Sequence, residues 1–191
     1  MESRALRADA QRNRDALLTA ATAAFAEHGT ETSLEDIARR AGVGIGTLYR
    51  HFPTRDALVV AAYRRGVEAV CDDATRLLAA EPADEALLHW MTSFVDYVAS
   101  KRGLAATLKQ ADVGHDELFA DMRARMLASL ATMTAAAVAA GSIRSDVEPA
   151  DLLRTLGGVC MMSDQQEWQD QARRMVSLLM DGLRYGAPAA R

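Results

Sequence analysis

Between Ser33 and Phe52 the chain reads Ser-Leu-Glu-Asp-Ile-Ala-Arg-Arg-Ala-Gly-Val-Gly-Ile-Gly-Thr-Leu-Tyr-Arg-His-Phe, a run that few folds accommodate. Ser33 followed three residues later by Asp36 has the form of a capping box, in which hydroxyl and carboxylate satisfy amide groups left open at a helix start. A helix is therefore expected from about Leu34. Leu34, Ile37, Ala38 and Ala41 recur at helical spacing as one inward stripe, with Glu35, Asp36, Arg39 and Arg40 toward water. Gly42 ends this helix, because a glycine just past the last turn takes the left-handed conformation at no steric cost. Val43 supplies an apolar plug, and a second helix starts near Ile45. Leu48 and Phe52, four apart, turn into the core and leave Gly46, Thr47, Tyr49, Arg50 and His51 available to a partner. Such a pair of short helices is either a groove-reading helix-turn-helix or a small packing unit with a solvated polar face.

The residue types on that face favour nucleic acid. Gly46 lets the backbone approach a base edge, and Thr47 offers a hydroxyl to phosphate and a methyl to thymine. Tyr49, Arg50 and His51 carry donors suited to phosphate oxygens. Arg55, just beyond Pro53, adds a fixed positive charge at the start of the next helix, where anions are already favoured.

Phe25-Ala-Glu-His-Gly29, Asp36-Ile-Ala-Arg-Arg-Ala-Gly-Val43, Gly46-Thr-Leu-Tyr49 and His51-Phe52 resemble the amino-terminal domain of the tetracycline-repressor (TetR/AcrR) family of bacterial transcription regulators. The resemblance implies an all-α chain: a three-helix helix-turn-helix DNA-binding head (residues 10–70, reader motif 33–52) and a helical-bundle body for ligand binding and dimerisation (71–191). It carries DNA contacts onto Ser33, Ile45, Gly46, Thr47, Tyr49, His51 and Arg55. Gly44 stands where the family usually has a capping serine or threonine, and Ile45 where a polar or basic residue is frequent. As a cap, glycine costs only a few tenths of a kcal/mol, about the smallest penalty available at that position.

Charge is divided along the chain. The total is −4, yet residues 1–66 hold 10 Arg against 8 Asp and Glu, a net +2, leaving −6 for the remainder. A locally basic head can face phosphate while an acidic body limits nonspecific sticking. Arg4, Arg7, Arg12 and Arg14 extend the basic surface as a mobile arm, or form a frayed, solvated terminus. Cys71 and Cys160 are far apart, with no spacing for a metal or redox pair, and suit a reducing cytoplasm. The opening residues have no apolar signal core, and no uninterrupted apolar run is long enough for a membrane span, so no membrane partner is expected.

Helices are expected over Gln11–His28, from Pro53 to about Ala80, and over Asp84–Lys101, Leu104–Gln110, Asp116–Ala140, Pro149–Met162 and Gln165–Tyr185. No strand-like alternation competes. Trp90, Met91, Phe94 and Tyr97 share one helical face, and Met122, Met126, Leu130 and Met133 another. Faces rich in methionine and aromatics either line a cavity for a small apolar or aromatic ligand or simply fill core. The family's pockets lie among helices in this region, and Tyr97, Asp112, His115 and Trp168 are the polar-tipped candidates to orient a ligand. Leu152, Leu156, Val159 and Cys160, followed by Ala172, Met175, Val176, Leu179, Met180 and Leu183, form apolar stripes that need covering, by the chain's own core or by a second copy. Resemblance favours the second copy, with Leu152, Leu156, Met175, Leu179 and Leu183 in a homodimer bundle.

The expected function is thus a ligand-responsive DNA-binding regulator, released as a repressor from a palindromic operator. An enzyme fares badly. The four histidines are scattered, and no HExxH, GxSxG, P-loop or CxxC occurs. A thiol-based redox sensor would need flanking cations that neither cysteine has in sequence. No cofactor or metal is expected.

Overall fold

The computed structural model describes residues 2–28, 32–110, 115–161 and 167–185, with side-chain surroundings for 8–28, 32–99, 119–161 and 167–185. Among them the chain is a succession of helices with no strand: α1 (Glu2–His28), α2 (Leu34–Arg40), α3 (Ile45–His51), α4 (Arg55–Ala80), α5 (Ala83–Gln110), α6 (His115–Ala139), α7 (Pro149–Met161) and α8 (Trp168–Tyr185).

Two extents differ from expectation by more than two residues. α1 begins at Glu2, not Gln11, so Arg4, Arg7, Arg12 and Arg14 stand on a helix and not on a mobile arm. The segment lacks an apolar stripe but is rich in Ala, Arg and Leu, which are strong helix formers. α5 is one helix where two were expected. Gly103 falls in the expected gap between Lys101 and Leu104, but an interior glycine costs only about 1 kcal/mol relative to alanine, less than abandoning the hydrogen bonds of a turn. α8 starts at Trp168, and the expected start at Gln165 lies outside the described residues.

Two compact units result: residues 1–66 with 100–115, and residues 67–99 with 116–191. In the first, α1, α2 and α3 pack on one another. Leu17, Ala21, Ala24 and Phe25 of α1 are buried as their spacing required, against an interior shared with Ile37, Leu48 and Leu58. Arg65 of α4 donates to the carbonyl of Asp15 at 3.0 Å, and Thr54 caps α4 by accepting from the Ala57 amide at 3.1 Å.

In the second unit the buried Trp90 donates its indole N–H to the Val70 carbonyl at 2.8 Å, joining α5 to α4. Asp84 meets Arg184 and Asp96 meets Arg173, so α5 and α8 run antiparallel, held by ion pairs along their length. α7 packs on α8. Gly141, at φ +69, closes α6, with Ser142 donating back to Ala137 and Gly141 to Val138. No described helix is long and apolar enough to cross a membrane.

Candidate nucleic-acid interface

The reader begins at a real cap. Ser33 Oγ accepts from the Asp36 amide at 3.1 Å, but the reciprocal half of the expected capping box is missing. The Asp36 carboxylate turns instead to Arg39 and, at 2.7 Å, to Arg40. An aspartate is one methylene shorter than the glutamate that usually reaches back, and two cations on its own helix compete for it. Arg40 continues to Glu27 of α1 at 2.7 Å, so one guanidinium ties α2 to α1. These pairs hold the Asp36 and Glu27 carboxyls below their ordinary range, the first through Arg39 and then Arg40, the second through Arg40.

α2 ends in a Schellman motif: Val43 donates to Ala38 at 3.0 Å and Gly42, at φ +69, to Arg39 at 3.1 Å. Ala41 is the C-cap and half-buried, at the edge of its stripe. Gly44, extended at φ −72 and ψ 149, is the N-cap of α3 and supplies no side-chain bond; its carbonyl accepts from Thr47 and Leu48. Leu48 and Phe52 are almost wholly buried and seat α3. This fixes what faces outward. Gly46, Tyr49 and Arg50 are exposed, Ile45, Thr47 and His51 half-buried, and Ser33 and Gly44 exposed at the two helix starts.

Arg55 is not the free-standing cation its position implied. It is half-buried, and its guanidinium donates to the Thr32 carbonyl at 2.8 Å, bracing the segment that leads into α2. Sequence reading also missed how Arg14 is held. Its guanidinium lies over the Phe52 ring, 5.6 Å from the centroid, a cation–π contact worth about 0.5–1 kcal/mol at an exposed site. Nothing local in the sequence signals that pairing, because the two residues meet only after α1 and α3 pack.

The other expected sites lie in the second unit. Trp90, Met91, Phe94, Tyr97, Met122, Met126 and Met133 are all buried, and Trp168 is half-buried. Trp90, Phe94 and Tyr97 form a row of rings with centroids 6.1 and 6.4 Å apart. Asp112 lies outside the described residues, as does the His115 side chain.

The expected dimer set divides. Leu152 and Leu156 are buried in the chain's own interior, with at most 3% exposure, so they have almost no surface to offer a partner, and Leu183 is 5% exposed. A stripe's periodicity says that it is covered, not by which chain. Met175 and Leu179 are half-exposed, and beside them Leu178, which the reading passed over, is 72% exposed. With Val147, Glu148 and Leu183 they line an open groove of about 570 Å³.

Burial raises the Cys71 thiol, against a weaker opposing bond from Ser129, and Cys160 is buried. A thiol kept protonated is a poor redox nucleophile.

A seven-residue helix seated by two apolar residues, hinged through a left-handed glycine to its partner and turning polar groups outward, defines the helix-turn-helix class of DNA-binding transcription regulators. Within that class this chain belongs to the TetR family. Residues 17–62 match the bacterial regulatory proteins of the tetR family, and residues 82–185 match the C-terminal domain of SbtR-like transcriptional regulators.

Similar structures span nearly the whole chain. A TetR transcriptional regulator from Streptomyces coelicolor, SCO0520, is 43% identical over 93% of this chain and 99% of its own, with a TM-score of 0.83. A TetR regulatory protein from Mycobacterium vanbaalenii is 40% identical over 94% and 99%, with a TM-score of 0.79. The curated relatives match less: the HTH-type transcriptional repressor Rv3405c of Mycobacterium tuberculosis is 46% identical over 71 residues, 36% of either length. These relatives are regulators, and the chain is one too; it is not an enzyme.

Proposed function

We propose that this regulator is a homodimeric repressor, with residues 10–70 as DNA-binding head and 71–191 as ligand-binding and dimerisation body, released from a palindromic operator by a small apolar or aromatic molecule. The observation that carries the reading is α3. Leu48 and Phe52 are spent on the core, so Gly46, Thr47, Tyr49, Arg50 and His51 are left for a groove, with Ser33, Gly44, Ile45 and Arg55 at its margins. A head that reads one half-site gains affinity and register from a two-fold partner. The groove and the exposed Leu178 supply a surface for it, carried by Met175, Leu178 and Leu179. Repression is supported by the relative named a repressor.

The ligand would lie against the ring row of α5 and the methionines of α6. A molecule that prefers one conformation of the body shifts the population of DNA-competent dimers by its differential affinity alone. Footprinting of the purified protein on genomic DNA is the test: protected palindromes with half-sites about one helical turn apart are expected. Protection should vanish with Tyr49→Ala and His51→Ala combined. A folded double variant that still protects the same sites would remove α3 from the interface.

A further inference from the structure

The cations of the first unit are sorted. Arg12 pairs with Asp9, Arg39 with Asp36, Arg40 with Asp36 and Glu27, and Arg65 with Asp15, while Arg55 is turned onto the Thr32 carbonyl. Among the described residues, Arg14, Arg50 and Arg64 have no carboxylate partner. Arg50 is on the last turn of α3, and Arg14 reaches from α1 to lie over the Phe52 ring. The His51 ring centroid is 6.3 Å from that same ring.

Phe52 is 3% exposed, yet Arg14 above it is exposed. One face of the ring thus belongs to the core and another serves as a platform. A guanidinium laid on an aromatic face keeps its N–H edge free for hydrogen bonds in the plane, which is the edge that a phosphate accepts. The contact also removes part of the rotamer freedom that a long side chain would lose on binding.

We infer that Arg14 is a DNA-phosphate contact, pre-positioned by Phe52 at the C-terminal end of the reader helix, so that α1 contributes to the interface alongside α3. The inference rests on the DNA-binding reading above and adds to it a residue outside the helix-turn-helix run. It also assigns α1 a built contact in place of the general basic attraction of a flexible arm.

The test is the salt dependence of binding to a duplex of arbitrary sequence about three helical turns long, which reports phosphate contacts without knowledge of the operator. Arg14→Gln should make the slope of log affinity against log salt shallower by about 0.9 for each arginine engaged. Arg14→Lys, which keeps the charge, should retain the wild-type slope. Arg12→Gln, on the same helix but spent on Asp9, should leave it unchanged.

An Arg14→Gln protein with wild-type helicity and slope would overturn the proposal, and so would an Arg12→Gln protein whose slope falls equally, since that is bulk charge. Should Arg14→Gln lose helicity, Arg14→Ala, a stronger helix former that also lacks the charge, decides: a folded alanine variant with the shallower slope supports the contact, and one with the wild-type slope overturns it. Wild-type protein that binds no duplex at low salt would sink the DNA-binding reading itself, whereas binding with indifferent variants sinks only the role of Arg14.

Discussion

Gly42 and Gly44 stand two positions apart and make opposite demands on a substituting residue. Gly42 is at φ +69, so an added Cβ is strained although it meets no neighbour, and Gly42→Ala should cost about 1 kcal/mol. Gly44 is extended, with open space where a Cβ would stand, and caps α3 with no side chain. Gly44→Ser should therefore add a few tenths of a kcal/mol, about the difference between the two caps. Urea midpoints at constant slope measure both. These roles were legible in sequence because a cap and a helix stop are local chemistry. Arg55 and Arg14 were not, since each finds its partner, the Thr32 carbonyl or the Phe52 ring, only through packing.

At the level of the element, the strut from α1 to α2 is electrostatic and should respond to pH. Glu27 and Asp36 are held below their ordinary values by Arg40 and Arg39. A depressed carboxyl contributes stability that is fully present above its unfolded pKa, near 4, and is lost as pH falls through the folded value. Melting temperature should thus drop on acidification below about pH 4.5, and Arg40→Gln should flatten that drop. An Arg40→Gln protein with the wild-type pH profile would show that the strut is indifferent to folding. Helix positions followed from period and caps in most of the chain. The exceptions had physical causes: Gly103 is tolerated inside α5, and the stripe of α7 is covered by its own chain.

Across the whole molecule, the two leucine sets of the body should separate stability from assembly. Leu156→Ala removes a fully buried side chain and should destabilise folding by about 2–5 kcal/mol. Leu178→Glu changes a residue that is 72% exposed in the single chain. It should leave unfolding nearly unaltered yet raise the dimer dissociation constant at least tenfold, about 1.4 kcal/mol, by placing a charge in the apolar contact. Sedimentation at low concentration reads the difference, and a Leu178→Glu protein that stays dimeric moves the interface elsewhere. The same scale holds the pocket. Met126→Trp should block thermal stabilisation by an apolar ligand if space exists there, and merely unfold the protein if Met126 is packed core.

The hydrogen bond from Trp90 to Val70 gives the chain an optical asymmetry. Its two tryptophans, Trp90 and Trp168, both fall in the second unit, and Trp90 is held dry by a main-chain acceptor. Indole emission therefore watches the body melt and is blind to the head, while far-ultraviolet dichroism sums over every helix. The two traces coincide only for a chain that unfolds as one cooperative block, so a pair of routine spectra, with no label added, measures how tightly the reader's folding is bound to that of the body.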